Sequence, residues 1–392
     1  MARNRRRLNC ITPPYILRRL VDSDDAEVRQ AALSTLLATA QLRGEREIRG
    51  SFTGLGAAPV DGRRSIFDCA TGTVLQRATL ARSESDAPVT DKSVDRAYDG
   101  LGVIRDFYRD VFARNSIDDR GMRMHGYVHR GVRYNNAFWD GQEMVFGDGD
   151  GRIFTDFTGS LDVIGHELTH GVTEFSAGLE YHGQSGALNE SLSDAFGSMA
   201  KQWYLRQAAA DADWLIGPDV FTPGIDADAL RSMKAPGTAY DNKIFGRDPQ
   251  PAHMDKYVQL PDTDEGDNGG VHINSGIPNK AFYLVATKIG GNSWESAGHI
   301  WYESLRASQA QAQFQDFADT SYRKAAELYG EGGTAQLAVL HAWSEVGIQI
   351  TGVTTGPDAP ETPIGALSRQ IEALATQVQA IAADVRELKA KS

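Results

Sequence analysis

The 392-residue sequence contains only two cysteines, Cys10 and Cys69, which excludes a disulfide framework as the basis of its stability. Two reduced thiols are the simpler prediction, and a single bridge is the alternative. No apolar run approaches the roughly 18 residues that a membrane-spanning helix needs, so no membrane association is expected. The basic start, MARNRRRLNC, leads to Pro13-Pro14 without an apolar stretch. It therefore predicts no signal peptide and cytoplasmic synthesis, with release by a signal-independent route left open.

Basic residues are fewer than acidic ones, 40 against 52, and the formal net charge is −12. An acidic surface repels phosphate backbones, so no nucleic-acid partner is expected. The 41% hydrophobic and 23% charged residues are typical of globular proteins, and the length suggests two or three units with their own cores.

Charge and composition divide the chain. Residues 1–50 carry ten Arg against six acidic residues, a balance of +4 that predicts attraction to an acidic body, and a Gly-, Ala- and Pro-rich joint follows. Helices are predicted over 22–42 and 93–113, and strands over 122–133 and 143–146. The predicted units are a leading segment over 1–50 with its boundary open as far as 62, a β-rich lobe over 63–160, a helical lobe over 161–351, a linker over 352–365 and a tail over 366–392.

Apolar residues in the tail recur in alternating steps of four and three. They are Leu367, Ile371, Leu374, Val378, Ile381, Val385 and Leu388. This heptad pattern predicts a coiled coil and a homo-oligomer; β-branched a positions with mostly Leu at d favour a parallel dimer, and Ala at e also permits a higher oligomer. An amphipathic helix that packs against its own body is the alternative, because three heptads are marginal alone.

The segment over 162–170 contains the pattern H-E-x-x-H. His166 and His170 are four residues apart, so on a helix their imidazoles project from one face and can share a zinc ion. Glu167 lies at the rim of such a site, where it can take a proton from a water. The alternative is a helix with two surface histidines.

A second run over 189–194 supplies the rest of a metal site. Glu190 is the candidate third ligand, and Asp194, four residues further on the same helical face, can hold the far nitrogen of a ligand histidine. Two histidines, one glutamate and an open fourth position are typical of a hydrolytic zinc site.

Four motifs stand in consecutive order at 134–139, 166–170, 189–194 and 267–276. Over about residues 64–350 the chain resembles the thermolysin-like metallopeptidases, and among them the protealysin-like members. The resemblance implies an α+β fold with a β-rich N-terminal lobe, a mostly helical C-terminal lobe and a central zinc helix. It also implies a zinc endopeptidase that acts on peptide or protein substrates.

The resemblance further implies catalytic roles. Glu167 would activate the zinc-bound water and pass the proton to the leaving amine. His272, in what the sequence suggests is a Gly-rich loop, and Tyr181 would donate hydrogen bonds to the developing oxyanion, with Asp267 orienting His272.

Substrate-binding roles follow in the same way. Arg231 would bind a substrate carbonyl, and Asn136 with the carbonyl of Ala137 would hold the peptide backbone. A pocket just beyond the scissile bond would favour a large hydrophobic residue on the amine side of the cut. Its residues would be Phe154, Phe157, Val163, Ile216 and Leu230.

The sequence departs from the family where paired calcium ions would bind beside the zinc helix. It keeps Asp162 and Asp213 but has Lys201, Leu215 and Pro218. We therefore expect no paired calcium site, with Lys201 pairing with the carboxylates instead. The loop over 221–228 resembles another calcium loop of the family, so binding of one ion there stays open.

The segment over 9–17 resembles the Pro-Pro propeptide motif of protealysin-like precursors, which implies a zymogen whose propeptide occupies the cleft until it is removed between 43 and 62. Either Cys10 binds the zinc as a thiolate, or Pro13 and Pro14 fill the cleft with Cys10 packed nearby, which we favour. Two rival functions are a binding protein on an inactive peptidase scaffold and a zinc hydrolase that is not a peptidase.

Overall fold

The computed structural model describes residues 9–49 and 62–353, without the side chains of residues 9 and 43–49. The heptad tail and most of the predicted joint lie outside the described residues. Among the helices within these ranges, none combines the length and apolar character that a membrane crossing requires.

The leading segment forms strand β1 (Asn9–Cys10), helix α1 (Pro14–Val21) and helix α2 (Ala26–Arg49). Proline suits the first position of α1 because it needs no intrahelical N–H partner there. At the start of α2, the Asp25 carboxylate accepts the backbone N–H groups of Glu27 and Val28. The predicted helix is present, and it extends further than the sequence suggested.

The N-terminal lobe is built on a six-stranded sheet that includes β1 from the leading segment. Its other strands are β2 (Arg64–Asp68), β3 (Thr79–Ser83), β4 (Met124–Val128), β5 (Ala137–Trp139) and β6 (Glu143–Phe146). The spatial order is β1-β5-β6-β4-β2-β3, and β1 pairs antiparallel with β5. Helix α3 (Lys92–Phe112) packs against β2 and β4, and Asp91 caps its first turn.

The two faces of this sheet have different partners. Cys10, Phe138, Val145 and Tyr127 are successive cross-strand neighbours, and Ala38 of α2 packs with them. The leading segment therefore covers this face, while α3 packs on the other. Cys10 and Cys69 are both buried thiols rather than half-cystines.

Helix α4 (Leu161–Glu174) and helix α5 (Gly183–Leu205) cross at very short distance. A Cβ added at Gly165 would lie 2.8 Å from the Cα of Gly197, and one added at Gly197 would lie 2.5 Å from the Asp162 carbonyl oxygen. Glycine at both positions thus lets the two helices bring their side chains to one point.

The C-terminal lobe completes the fold. It contains the short strands β7 (Leu215–Ile216), β8 (Arg231–Ser232), β9 (Asp241–Asn242) and β10 (Gly246–Arg247), and the helices α6 (Asp267–Asn274), α7 (Gly276–Ile289), α8 (Ser296–Ala307), α9 (Phe314–Tyr329) and α10 (Thr334–Glu345). Trp301 and Trp343 stack at its centre with ring centroids 6.1 Å apart. The α+β, two-lobed prediction is confirmed.

Candidate active site

The side chains of His166 and His170 on α4 meet that of Glu190 on α5. The two Nε2 atoms are 3.0 Å apart, and each lies 3.4 to 3.5 Å from one oxygen of Glu190. All three residues are buried. Within the described ranges, they form the one group of three or more His, Cys, Asp or Glu residues whose ligand atoms lie within 4.8 Å of one another.

The hydrogen bonds around the two imidazoles fit a metal. Nδ1 of His166 donates to Asp194 over 2.7 Å, and Nδ1 of His170 donates to Asn189 over 2.8 Å. The Nε2 atoms are thus the ring nitrogens left to face each other and Glu190, where one metal ion can take a lone pair from each. Oε2 of Glu190 is buried without a hydrogen-bond partner in this part of the chain. The donor set suits tetrahedral zinc with one position left open.

Asp194 connects this site to Arg231 on β8. Arg231 donates to both oxygens of the carboxylate, from Nε over 2.9 Å and from NH2 over 2.8 Å, and the Asn279 amide adds a third donor. Burial opposes ionisation of Asp194, but the charge of Arg231 and the hydrogen bond from His166 outweigh it and hold the pKa at about 2. The carboxylate is therefore ionised.

Glu167 follows the first ligand on α4, and its carboxylate is fully buried. Oε2 accepts the backbone N–H of Trp139 over 3.0 Å, whereas Oε1 has no hydrogen-bond partner among the residues described. Burial raises the pKa of Glu167 to about 8. One oxygen is thus fixed by strand β5, and the other is available to a water or a substrate.

His272 is held as a hydrogen-bond donor. Nδ1 donates to Asp267 over 2.5 Å, and Nε2 donates to the Cys10 carbonyl over 3.1 Å. Burial opposes charging, but the Asp267 and Glu190 carboxylates outweigh it and raise the pKa of His272. Tyr181 lies beside it, with its hydroxyl 3.3 Å from Nε2 of His272 and donating to Glu190.

The local backbone at His272 differs from the expected loop. Helix α6 begins with Asp267, Asn268, Gly269 and Gly270 in left-handed conformations and continues as regular helix through His272. The glycines permit the positive φ values, and the turn brings Asp267 back to His272, where it also accepts that residue's N–H. The Gly-rich motif is therefore a helix start that orients a side chain.

The predicted substrate-binding groups contact the leading segment. The N–H of Ile11 donates to the Ala137 carbonyl over 3.2 Å, and the carbonyl of Ile11 accepts from NH1 of Arg231 over 3.2 Å. The next N–H, from Thr12, donates to Oδ1 of Asn136 over 3.0 Å. Three backbone groups of the leading segment thus engage the three groups expected to hold a peptide.

The side chain of Ile11 is completely buried. It belongs to the same apolar cluster as the five predicted pocket residues, all of them also fully buried, namely Phe154, Phe157, Val163, Ile216 and Leu230. The rings of Phe154 and Phe157 lie 5.6 Å apart. Ile11 and the five predicted pocket residues are thus all part of the apolar core.

Residues 10–12 lie opposite the catalytic groups, and Pro13 and Pro14 follow as the start of α1. In sequence, the two prolines therefore come directly after the residues that contact the active site. The Cys10 thiol is outside the described group of converging metal ligands. Its side chain packs with Phe138 on the outer face of the sheet.

Among the described residues, two acidic side chains near the start of α2 form ion pairs with basic residues of the body. Asp25, which precedes α2, and Glu27 in its first turn bind Arg152 over 3.1 and 2.8 Å, and Glu27 also binds Arg133 over 3.2 Å. Local pairing thus depends on position as well as on net charge, and the attraction expected from the balance of +4 stays a prediction.

Lys201 occupies the region where the family's calcium cluster was expected. Its ammonium lies 3.3 Å from Asp162 and 3.1 Å from Asp213. Burial opposes the charge, but the two carboxylates outweigh it and raise the pKa of Lys201. The pairing predicted from the sequence is present.

Some functional neighbours were missed by sequence reasoning. Asn189 precedes the predicted ligand Glu190 within the motif over 189–194, so its contact with a ligand histidine could have been predicted from the sequence. Asn279 and the backbone N–H of Trp139 were not, because only the folded chain brings them to Asp194 and Glu167.

The fold and the site define a two-lobed zinc metalloendopeptidase. Residues 58–174 match the catalytic domain of the thermolysin metallopeptidases, and residues 177–348 match their alpha-helical domain. The chain belongs to this family, and zinc is its metal. The family, the enzyme class and the metal predicted from the sequence are confirmed.

Individual relatives of the chain support the same family assignment. The chain is 47% identical over 343 residues to an extracellular metalloprotease of Pectobacterium carotovorum, covering 87% of this chain and 96% of the relative. It is 44% identical over 346 residues to protease PrtS of a Photorhabdus strain, covering 87% and 92%. Among solved structures, the precursor of protealysin from Serratia proteamaculans is similar, with 46% identity, a TM-score of 0.78, and coverage of 87% of this chain and 99% of that one. The protealysin-like resemblance is thus confirmed.

Proposed function

We propose that this chain is a neutral endopeptidase made as a zymogen, that it cleaves peptide bonds on the N-terminal side of large hydrophobic residues, and that Glu167 is its general base. The observation that carries the proposal is the carboxylate of Glu167, which adjoins the metal ligands with one oxygen fixed by Trp139 and the other uncommitted. The similarity to a protealysin precursor supports the zymogen.

Zinc, when held by His166, His170 and Glu190, supplies a Lewis acid that makes a water nucleophilic near neutral pH. Glu167 accepts the proton of the attacking water at Oε1 and delivers it to the leaving amine. The N–H of Trp139 holds Oε2 and so keeps the base in one orientation. Burial favours the protonated form that the second half of the reaction needs.

Two hydrogen-bond donors, His272 and Tyr181, would stabilise the carbonyl oxygen of the substrate as it becomes negatively charged. His272 donates from Nε2 while Asp267 fixes its other nitrogen, and the Tyr181 hydroxyl lies beside it. Preorganised donors of this kind act strongly because they need no reorientation during the reaction. The hydrogen bond from His272 to the Cys10 carbonyl, over 3.1 Å, supports this role of the histidine.

Substrate position and preference follow from the same contacts. Asn136, Ala137 and Arg231 hold three consecutive backbone groups, and the apolar pocket takes the side chain after the cut. The complete burial of Ile11 within the apolar core supports this preference. A charged residue at that place would lose its hydration without compensation.

The rival functions account for less of the site. An inactive binding scaffold requires neither an uncommitted carboxylate nor oxyanion donors. A zinc hydrolase acting on esters has no use for three aligned peptide-backbone contacts. Hydrolysis of a peptide library, compared with simple esters, separates these proposals.

The test is Glu167→Gln in purified, zinc-loaded protein after the prosegment has been removed by an added protease. We expect kcat on a peptide with an internal Ala-Leu bond to fall by about 10³-fold or more, with zinc content by mass spectrometry unchanged. Glu174→Gln, two turns along α4, is the matched control and should retain activity. Equal activity of Glu167→Gln and the parent enzyme would refute the assignment.

We also propose partners and a place of action. The relatives named extracellular metalloproteases support action outside the cell, and the prosegment is the first partner of the cleft. We propose a homo-oligomer through 367–388 and release from the cell. Immunodetection in culture medium against a cytoplasmic marker tests the release.

A further inference from the structure

We propose that the prosegment is bound in the register of a substrate, with the Cys10–Ile11 peptide bond at the scissile position, and that the enzyme hydrolyses this bond within its own zymogen. The inference rests on the proposed function. It assigns a specific self-cleavage site, far upstream of the joint where the prosegment is removed.

The register is set by consecutive backbone groups. The carbonyl of Cys10 accepts from His272, the N–H of Ile11 donates to Ala137, and both groups belong to the same peptide bond. The Ile11 carbonyl accepts from Arg231. The bond between Cys10 and Ile11 therefore lies between His272 on one side and the backbone-binding groups Ala137 and Arg231 on the other.

The strand direction supports the same assignment. Cys10 lies opposite Phe138 and Asn9 opposite Trp139 in an antiparallel pair, so the prosegment extends β5 as an added strand. Side chains alternate along such a strand. Cys10 packs on the outer face with Phe138, and Ile11 enters the apolar interior, which is the arrangement a substrate with Ile after the cut would adopt.

The step is a simple hydrolysis. Water adds to the Cys10 carbonyl carbon while Glu167 takes one proton, the C–N bond breaks, and Glu167 returns the proton to the Ile11 nitrogen. Cys10 ends as a carboxylate and Ile11 as a new amino terminus. No oxidant, reductant or other reactant is needed.

Cleavage at this bond does not release the inhibitor, because residues that follow the bond keep their own contacts with the body. Thr35 accepts the N–H of Asn135, the hydroxyl of Thr39 bonds that of Tyr134, and Glu27 pairs with Arg152. The new Ile11 end stays on Ala137 and Arg231, so resynthesis of the bond competes with loss of residues 1–10. The zymogen is thus cut yet latent until a second cleavage in the joint.

Oxygen exchange detects the reaction even when resynthesis dominates. The purified zinc-loaded zymogen is incubated in H2¹⁸O and then digested with trypsin, which yields the uncut peptide over residues 8–18. We expect ¹⁸O at the Cys10 carbonyl of this peptide, together with a growing population of chains that begin at Ile11. Glu167→Gln should abolish both signals.

Matched variants test the pocket assignment. Ile11→Leu should retain exchange at Cys10, and Ile11→Asp should lower it on the order of 100-fold because a buried carboxylate lacks a partner. If Ile11→Asp perturbs folding of the zymogen, the synthetic peptide over residues 8–18 and its Ile11→Asp form are given to the mature enzyme instead. Cleavage of the parent peptide after Cys10, and not of the Asp form, supports the register.

The outcomes separate this inference from the proposed function. If the mature enzyme cleaves an unrelated peptide before a large apolar residue, but the zymogen shows neither ¹⁸O at Cys10 nor an Ile11 terminus, the inference is wrong and the function stands. If the mature, zinc-loaded enzyme cleaves no peptide at all, the proposed function itself is wrong.

Discussion

Arg231 and Asp194 form a fully buried ion pair with two hydrogen bonds, at 2.9 and 2.8 Å. The same carboxylate fixes Nδ1 of His166, and the same guanidinium contacts the Ile11 carbonyl. One pair thus connects the position of a metal ligand with the position of the bound peptide. A change in either member should affect zinc and peptide together.

We therefore expect Asp194→Asn to weaken zinc binding about 10- to 100-fold, because His166 loses the carboxylate that fixes its tautomer. The variant should also be destabilised by about 3–5 kcal/mol, since Arg231 stays buried without its counter-charge. Chelator competition measures the first effect, and urea unfolding of the metal-free protein measures the second.

Asn279→Ala is the matched control, because it removes a neutral donor from the same carboxylate and leaves the ion pair intact. It should cost about 1 kcal/mol of unfolding free energy and leave zinc affinity nearly unchanged. If it lowers zinc affinity as much as Asp194→Asn, the charge of Asp194 is not what positions His166.

Lys201 replaces an external cation between Asp162 and Asp213. Lys201→Glu removes the ammonium and adds a third carboxylate to this pair, with Asp219 nearby. We expect a lower melting temperature in chelator and a rise of several degrees with millimolar calcium, because oxygen-rich acidic clusters suit that ion. Differential scanning calorimetry at both conditions provides the comparison.

The control is Lys243→Glu, which introduces the same charge at an exposed position. It should show no calcium response beyond that of the unmodified protein. A calcium response of Lys201→Glu equal to that of Lys243→Glu would mean that the carboxylates beside α4 cannot form a cation site.

We expect His129 to make the free energy of unfolding depend on pH in the alkaline range. It lies between Asp148, 2.8 Å from Nδ1, and Asp91, 2.9 Å from Nε2, and these carboxylates raise its pKa to about 9. The folded pKa exceeds the unfolded value near 6.5, so the stabilisation is complete below about pH 6.5 and is lost as the pH rises through 9.

The measurement compares His129→Asn with its parent in a Glu167→Gln background that prevents self-digestion. Asn tolerates the left-handed backbone of this position, where φ is 54°. We expect the parent to be more stable by about 1–3 kcal/mol at pH 6, and the difference to shrink at pH 9.5. A difference independent of pH would exclude the charged imidazole as its source.

The metal ligands could be predicted because helix geometry is local. Spacings of four residues place His166 with His170, and Glu190 with Asp194, on single faces whatever the rest of the chain does. The strand pairing of Cys10 with Phe138 joins segments 128 residues apart, and no local pattern in the prosegment specifies that register. The N–H of Trp139 on Glu167 is likewise a product of tertiary packing.

Net charge does not specify which residues pair, for a similar reason. The balance of +4 over residues 1–50 sums over positions that do not touch the body equally. Glu27 and Asp25 stand at the start of α2, directly against Arg152, and Coulomb energy falls with distance. The described pairs are therefore fixed by where α2 begins.

The final prediction concerns the tail, whose heptads lie outside the described residues. Val378 is an a position and Gln379 the adjacent b position, so Val378→Asp should place a charge in the helical seam and Gln379→Asp should not. We expect sedimentation velocity to show an oligomer for the parent and for Gln379→Asp, and a monomer for Val378→Asp and for a chain ending at residue 365. If the tail instead packs on its own body, all four proteins will be monomers, and Val378→Asp will lower the melting temperature without any change in mass.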